Sequence, residues 1–221
     1  KRVDGCIISC TPTKSEDVKV ILDYEIPVVF LYREKQGKRM SSVVFDSRKD
    51  GEKAAEYLLS KGAKSLGIVK GNSENYDAEL RLEGFREGLR KGGIELDENY
   101  IWEGSFEREP AYIAVREFLD KKLPLPDAIF AGNDWSAIGV MDALKEAGYH
   151  VPEDVMVLGV DDIEQDMWYN PTLSTIKTGF EEQGAIAVRR LLSLMNEEEG
   201  TVERLVGNLI ERESTMVKGK N

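Results

Sequence analysis

Short apolar runs alternate with longer amphipathic segments along most of the 221-residue chain. The runs are too short for helices and are typical of buried strands. They lie at residues 3–9, 26–31, 43–45, 66–69, 100–102, 128–131, 155–160 and 173–177, with a final extended piece at 202–210. The amphipathic segments predict helices at 14–24, 46–62, 110–119, 134–147 and 180–195, with another around Phe85. This alternation predicts an α/β fold built on doubly wound parallel sheets.

The stretch from Pro126 to Asp162 shows the pattern most clearly. AIFA and VMVLGV are two apolar runs joined by a helical segment that ends at Gly148. Either Asn133 or Asp134 can cap the start of that helix through its side-chain oxygen. Parallel strands joined by a helix cross over right-handed, and ligands of such sheets sit outside the carboxyl ends of the strands. This places Asn133 and Asp161 where a ligand would be expected.

Polar residues follow several of the predicted strands, where they would share one edge of the sheet. The sequences at these ends are Lys70-Gly71-Asn72, Gly104-Ser105-Phe106, Asn133-Asp134 and Asp161-Asp162. Arg81, early in the next predicted helix, can reach the same edge. An arginine, two carboxylates, an asparagine and aromatic rings suit a small polyhydroxylated ligand. An equally good interpretation makes Asn133, Asp134 and Asp162 helix caps or loop residues.

Composition and charge exclude several classes of function. The formal net charge is −11, whereas a chain that holds DNA phosphates by itself would show a basic face. No apolar run reaches the ~18 residues of a membrane span. Cys6, Cys10 and His150 are too few for a zinc site or a disulfide scaffold. Glycine-rich nucleotide loops and a nucleophile elbow are both missing, so the chain is expected to be no enzyme and to hold no cofactor.

Longer segments resemble the effector-binding domain of the lactose-repressor/galactose-repressor family of bacterial transcription regulators. The segments, in family order and spacing, are RVDGCIIS, IPVVFL, EKAAEYLLSKGAKSLGIV, RLEGF, FAGNDWSAIGVMDALKEAGYHVPEDVMVLGVDD and NPTLSTIKTGFEEQGAIAVRRLL. VPEDV followed by GVDD and then P-x-L-S-T-I is the most specific part. The resemblance implies two lobes of the periplasmic-binding-protein type I kind, with a ligand cleft between them.

The resemblance also implies a set of ligand contacts. They are Arg81 of RLEGF, Asn133 of GND, Asp161 of GVDD, the covering aromatic Phe106, the loop positions Asn75 and Asp77, and Thr178 at the hinge. The chain departs from the family pattern at two positions that would face the cleft. Tyr32 stands where an aspartate is common, and Lys70 stands where a small residue is usual. These departures favour a ligand other than the common hexoses, and Trp135 and Trp168 are further candidates for stacking.

In domain organisation, the resemblance implies an N-terminal lobe of residues 1–45 and 179–206 and a C-terminal lobe of residues 46–178 and 207–221. The first strands of the N-terminal lobe and a helix-turn-helix headpiece are expected upstream of residue 1. The whole protein would be a cytoplasmic homodimer that binds DNA only through that headpiece, with a small carbohydrate as effector. The alternative is a secreted sugar receptor of a transport system, which has the same lobes but would carry a signal peptide.

Overall fold

The computed structural model describes residues 3–9 and 23–216, and the chain divides into two compact units. The first unit comprises Lys1–Asp46 and Gly179–Val206, and the second comprises Ser47–Thr178 and Gly207–Asn221. The chain therefore passes from one unit to the other three times. None of the helices within the described ranges has the length and apolar character needed to cross a bilayer.

The first unit is a four-stranded parallel sheet with a helix packed on it. Its strands are β1 (Cys6–Ile8), β2 (Val28–Phe30), β3 (Met40–Phe45) and β9 (Val202–Leu205), in that spatial order. The helix, α5 (Phe180–Met195), buries Ala187 and Leu194 against Val29 and Val43. Its buried Gln183 donates hydrogen bonds to the backbone carbonyls of Leu31 and Val43. The helix predicted at 14–24 and Cys10 fall almost wholly outside the described residues.

The second unit contains a six-stranded sheet with helices on both faces. In chain order its elements are α1 (Ser47–Ser60), β4 (Leu66–Lys70), α2 (Tyr76–Lys91), β5 (Ile101–Glu103), α3 (Arg108–Asp120), β6 (Ala128–Ala131), α4 (Asp134–Glu146), β7 (Met156–Asp161), β8 (Ser174–Lys177) and β10 (Asn208–Ile210). The spatial order is β10-β8-β7-β6-β4-β5, and every pair is parallel except β10 with β8. The parallel α/β architecture predicted from the sequence is therefore confirmed.

Successive side chains of a strand point to opposite faces of the sheet and contribute to two separate hydrophobic cores. Ile68 and Phe130 pack under α1 and α2, whereas their neighbours Val69 and Ile129 pack under α3 and α4. Each buried strand thus covers both faces of the sheet, which explains why these strands are continuous apolar runs. The packing fixes the ends of β4, β6 and β7 side by side at one edge.

Helices α1 and α2 approach each other closely at glycines. A Cβ atom on Gly51 would lie 2.1 Å from the carbonyl oxygen of Arg81, and one on Gly84 would lie 1.8 Å from that of Arg48. Such distances leave room for hydrogen only, so both positions require glycine. The contact locks the backbone of Arg81 against the first turns of α1.

The extended piece predicted at 202–210 is in fact two strands in different sheets. β9 ends at Leu205 in the first unit, and β10 begins at Asn208 in the second. Gly207 lies between them, and the side chain of Asp50 accepts its backbone N–H at 2.8 Å. The sequence also did not predict the antiparallel pairing of β10. The apolar pattern shows neither where the chain changes from one sheet to another nor the direction in which a strand pairs.

Candidate functional site

The carboxyl ends of β4, β5, β6, β7 and β8 form one edge of the second unit's sheet. We call the side chains gathered there the rim, and define it by five residues: Arg81, Phe106, Asn133, Asp161 and Thr178. All five were predicted from the sequence as ligand contacts. Phe106 contacts both Arg81 and Asn133, and a hydrogen bond joins Thr178 to Asp161. The role of all five in binding stays a prediction.

Arg81 is a buried member of the rim, with 7% of its surface exposed. Its Nη1 donates to the carbonyl oxygen of Gly132 at 2.6 Å, and its Nη2 donates to Oγ of Ser47 at 3.3 Å. Its Nε is buried and has no hydrogen-bond partner within the described residues. A buried donor without an acceptor is costly, so a ligand oxygen at this nitrogen would be strongly favoured.

Phe106 is held in a fixed position over the rim. Its backbone lies in the left-handed region (φ 63°), and its carbonyl oxygen accepts Nδ2 of Asn133 at 2.9 Å. Its ring fills the space above two glycines, since a Cβ on Gly71 would lie 2.2 Å from ring atoms and one on Gly132 would lie 2.9 Å away. The ring centroid is 5.8 Å from Cζ of Arg81, a cation–π distance.

Asp161 ends β7 in an unusual conformation, with a φ of 123°. Burial raises the pKa of its carboxyl to about 7, although the charge of Arg81 and a hydrogen bond from Thr178 oppose this rise. Oγ1 of Thr178 lies 3.3 Å from the carboxylate. Arg81 is thus close enough for its charge to act on the Asp161 carboxyl, which is itself poorly solvated.

Asn75 and Asp77 lie at the start of α2. Asn75 caps the helix, and its side-chain oxygen accepts the N–H groups of Asp77 and Ala78. Asp77 accepts the hydroxyl of Ser47 at 2.9 Å, and burial raises the pKa of its carboxyl. The fully buried Ser47 thus joins Asp77 to Arg81. Sequence reasoning missed Ser47, whose only signal was its place at the predicted start of a helix.

Two other carboxylates that the sequence predicted at this edge form hydrogen bonds and ion pairs within the chain instead. Asp134 is completely buried and accepts the backbone N–H groups of Asp162 and Ile163 and the hydroxyl of Thr175. Asp162 forms ion pairs with Lys177 and Arg212. The alternative interpretation of both as structural residues is therefore the correct one, whereas Asn133 combines a helix cap with its bond to Phe106.

The structure shows no hydrogen bond between the remaining candidates and the five rim residues in the part of the chain it describes. Tyr32 follows β2 in the first unit and is half-buried. Lys70 ends β4 and lies 3.5 Å from Glu79 of α2, so its charge is partly balanced. Trp135 and Trp168 are 42% and 78% exposed. His150 is exposed and contacts Asp154.

Comparison with known proteins identifies the family. The model of the periplasmic binding protein-like domain matches residues 55–215. The chain is 31% identical over 217 residues to the HTH-type transcriptional repressor PurR of Pasteurella multocida, and 33% identical over 193 residues to the ribose operon repressor of Escherichia coli K12. These matches cover 97% and 87% of the chain but only 65% and 58% of the two repressors. The chain thus spans less than two thirds of their length.

Solved structures similar to this chain are also transcriptional regulators. A LacI family transcriptional regulator from Enterococcus faecium with bound ribose superposes with a TM-score of 0.87 at 27% identity, covering 96% of this chain and 79% of that one. A complex of the transcriptional regulator CelR with cellobiose gives 0.88 at 27% identity, covering 96% and 66%. The chain therefore belongs to the periplasmic binding protein-like domain family, as the effector-binding domain type found in lactose-repressor-family regulators.

Proposed function

We propose that this chain is the ligand-sensing and dimerisation domain of a bacterial transcriptional regulator, with a small sugar-like molecule as its effector. The observation that carries the proposal is the group of polar and aromatic side chains at the strand ends. Arg81 and Asn133 both contact Phe106, and the Asp161 carboxyl ends the strand beside them. A carboxylate accepts paired hydroxyl groups, a guanidinium donates to ring or hydroxyl oxygens, and a fixed aromatic ring covers the apolar face of a sugar. The rim offers all three groups, and none of these roles requires a cofactor or a catalytic step.

The similarity to known regulators supports the same proposal from another direction. Two of the similar structures are described with ribose and with cellobiose bound, and the relatives in sequence are transcriptional repressors. In the proposed mechanism, the effector changes the closure of the two units and thereby the DNA affinity of a separate headpiece in the cytoplasm. The net charge of −11 fits this division, because the basic DNA-binding surface would belong to another part of the protein.

A screen of sugars by thermal unfolding tests the proposal. Pentoses, hexoses and disaccharides, with ribose and cellobiose among them, are added to the chain at millimolar concentration. A ligand at ~100 times its Kd stabilises by roughly 2.7 kcal/mol, which corresponds to about 5–11 °C in Tm for a chain of this size. At least one sugar should give such a shift and be recovered unchanged. A panel without any shift, or a sugar that is turned over, would contradict the proposal.

Effector affinity should fall in acid because Asp161 has a pKa of about 7. The ionised carboxylate is the better acceptor for hydroxyl donors, so only that form binds well. Below the pKa the Kd should rise about tenfold per pH unit, and above it the Kd should be level. Calorimetric titration from pH 5.5 to 8.5 measures this. Asp161→Asn should bind more weakly and without the slope, and an equal slope in that variant would assign the titration to another group.

Dimerisation is expected to use an apolar surface of the second unit. Met167 and Trp168 are adjacent and are 57% and 78% exposed, so a partner that covered them would remove apolar surface from water. Sedimentation equilibrium should therefore report a dimer that the double substitution Met167→Ser and Trp168→Ser weakens at least tenfold. The control is Tyr24→Ser, at an equally exposed aromatic residue of the first unit. A monomeric wild-type chain, or an unaffected double variant, would contradict this part of the proposal.

A further inference from the structure

Two buried carboxyl groups meet just behind the rim. Asp134, the first residue of α4, and Asp166, in the 3-10 turn Glu164–Met167, are both completely buried. They flank the same residue, since Asp134 accepts the N–H of Ile163 and the carbonyl of Ile163 accepts the N–H of Asp166. Asp134 receives three hydrogen bonds from N–H and O–H donors, but neither oxygen of Asp166 receives one from a donor group in the described residues. Two ionised carboxylates cannot bond to each other, because both only accept.

The charges around the pair do not balance unless a proton is present. Asp162 lies beside the pair and forms ion pairs with both neighbouring basic side chains, Lys177 and Arg212. Arg212 reaches Asp166 only at 3.7 Å. Asp134, Asp162 and Asp166 thus face two cations, of which Lys177 is 55% exposed, and a single proton on the buried pair makes this group neutral. Isolated buried charge is costly, so the neutral arrangement is strongly favoured.

The pair also controls the backbone next to it. Oδ2 of Asp134 accepts the N–H groups of Asp162 at 2.6 Å and of Ile163 at 3.2 Å. These bonds hold a turn in which Asp161 and Asp162 both have positive φ, at 123° and 65°. Such backbone is strained for residues with a side chain and persists only where neighbouring groups fix it. Whatever sets the state of Asp134 therefore also sets the direction of Asp161.

We propose that Asp134 and Asp166 share a single proton, and that this bridged pair holds the turn that presents Asp161 at the rim. Asp166 is then a positioning residue, which acts on Asp161 through Asp134. The bridge itself is independent of any effector, and only its consequence for binding rests on the proposed function. The pKa directions agree: burial and the charge of Asp134 raise the pKa of Asp166 to about 9, and burial raises that of Asp134.

Carboxyl NMR tests the shared proton directly. In a chain labelled with ¹³C at aspartate, one buried carboxyl should remain protonated at pH 7.5 and titrate near pH 9. This resonance should be absent from Asp166→Asn. Asp161 titrates about two pH units lower and can be told apart by its loss in Asp161→Asn. The proposal is overturned if no carboxyl of the wild-type chain titrates above pH 8, or if one does so unchanged in Asp166→Asn.

The pH dependence of unfolding provides a second readout of the shared proton. The folded-state pKa lies above the unfolded value of about 4, so stability should decline as pH rises towards about 9 and then level off. Between pH 7.5 and 9 the wild-type Tm should fall by roughly 3–5 °C per pH unit. Asp166→Asn supplies a permanent N–H donor and should remove most of this slope, whereas Asp166→Ala should remove the slope and lower Tm throughout. Equal slopes in the wild type and Asp166→Asn would overturn the proposal.

Neither experiment needs an effector, so failure of the sugar screen would leave this inference standing.

Discussion

Replacing Arg81 by methionine is expected to weaken effector binding by at least 100-fold while the chain remains folded. Charge-assisted hydrogen bonds contribute about 1.5–3 kcal/mol each, and a bidentate contact to the effector would supply two of them. The substitution also removes the charge that opposes the rise in the pKa of Asp161, so more of that carboxyl would be protonated at neutral pH. Methionine retains most of the buried volume.

The matched control for Arg81→Met lies on the same helix. Arg86 forms an ion pair with Glu98 at 2.7 Å, and the two side chains are 36% and 75% exposed. Surface pairs of this kind contribute about 0–1 kcal/mol, so Arg86→Met should change neither the binding nor the fold appreciably. Calorimetric titration of both variants with the sugar that stabilises the wild type separates the cases. Binding by Arg81→Met within a factor of three of the wild type would remove Arg81 from the site.

Alanine at Gly84 is expected to cause the largest loss of stability among single-methyl substitutions in the second unit. The new Cβ would lie 1.8 Å from the carbonyl oxygen of Arg48, and the contact is with backbone, which cannot rotate away. Helices α1 and α2 would have to separate, at a cost of about 3 kcal/mol. This corresponds to a fall in Tm of about 6–12 °C, measured by calorimetry. Because Gly51 holds Arg81 through the same helix contact, effector binding should weaken as well.

Gly184 provides the contrasting alanine substitution. It lies inside α5 of the first unit, and an added Cβ would meet nothing within 4 Å. Alanine has a helix propensity about 0.8–1 kcal/mol better than glycine, so Gly184→Ala should stabilise slightly. If Gly84→Ala were also neutral or stabilising, the close helix contact described above would be wrong.

Sequence pattern predicted the elements of the rim because each signal was local. The apolar runs marked the strands, the Asn133 cap marked the start of α4, and the helical register brought Arg81 to the strand ends. Adding the family resemblance supplied Phe106, Asn75, Asp77 and Thr178. Asn75 and Asp77 were predicted as loop positions, whereas the structure makes Asn75 a helix cap and places Asp77 in the first turn of α2. The membership of the family is confirmed.

What the sequence could not predict depends on contacts between distant segments. Asp134 and Asp161 look alike in the sequence, since each follows a buried strand by a few residues. Only the packing of α4 against the turn after β7 buries the first and leaves the second at the rim. Ser47 likewise contacts Asp77 and Arg81, which lie 30 and 34 positions further along the chain. Asp166 interacts with Asp134, which lies 32 positions before it.

The most direct measurement of the central claim is the sugar-induced shift in Tm for Asp161→Ala, beside the wild type and Tyr149→Ala. Tyr149 lines a separate cavity of about 580 Å³ in the second unit, together with His150 and Tyr169. If the effector binds at the rim, the shift of about 5–11 °C is lost in Asp161→Ala and retained in Tyr149→Ala. A full shift in Asp161→Ala would show that the effector binds elsewhere, and its loss in Tyr149→Ala would point to that cavity.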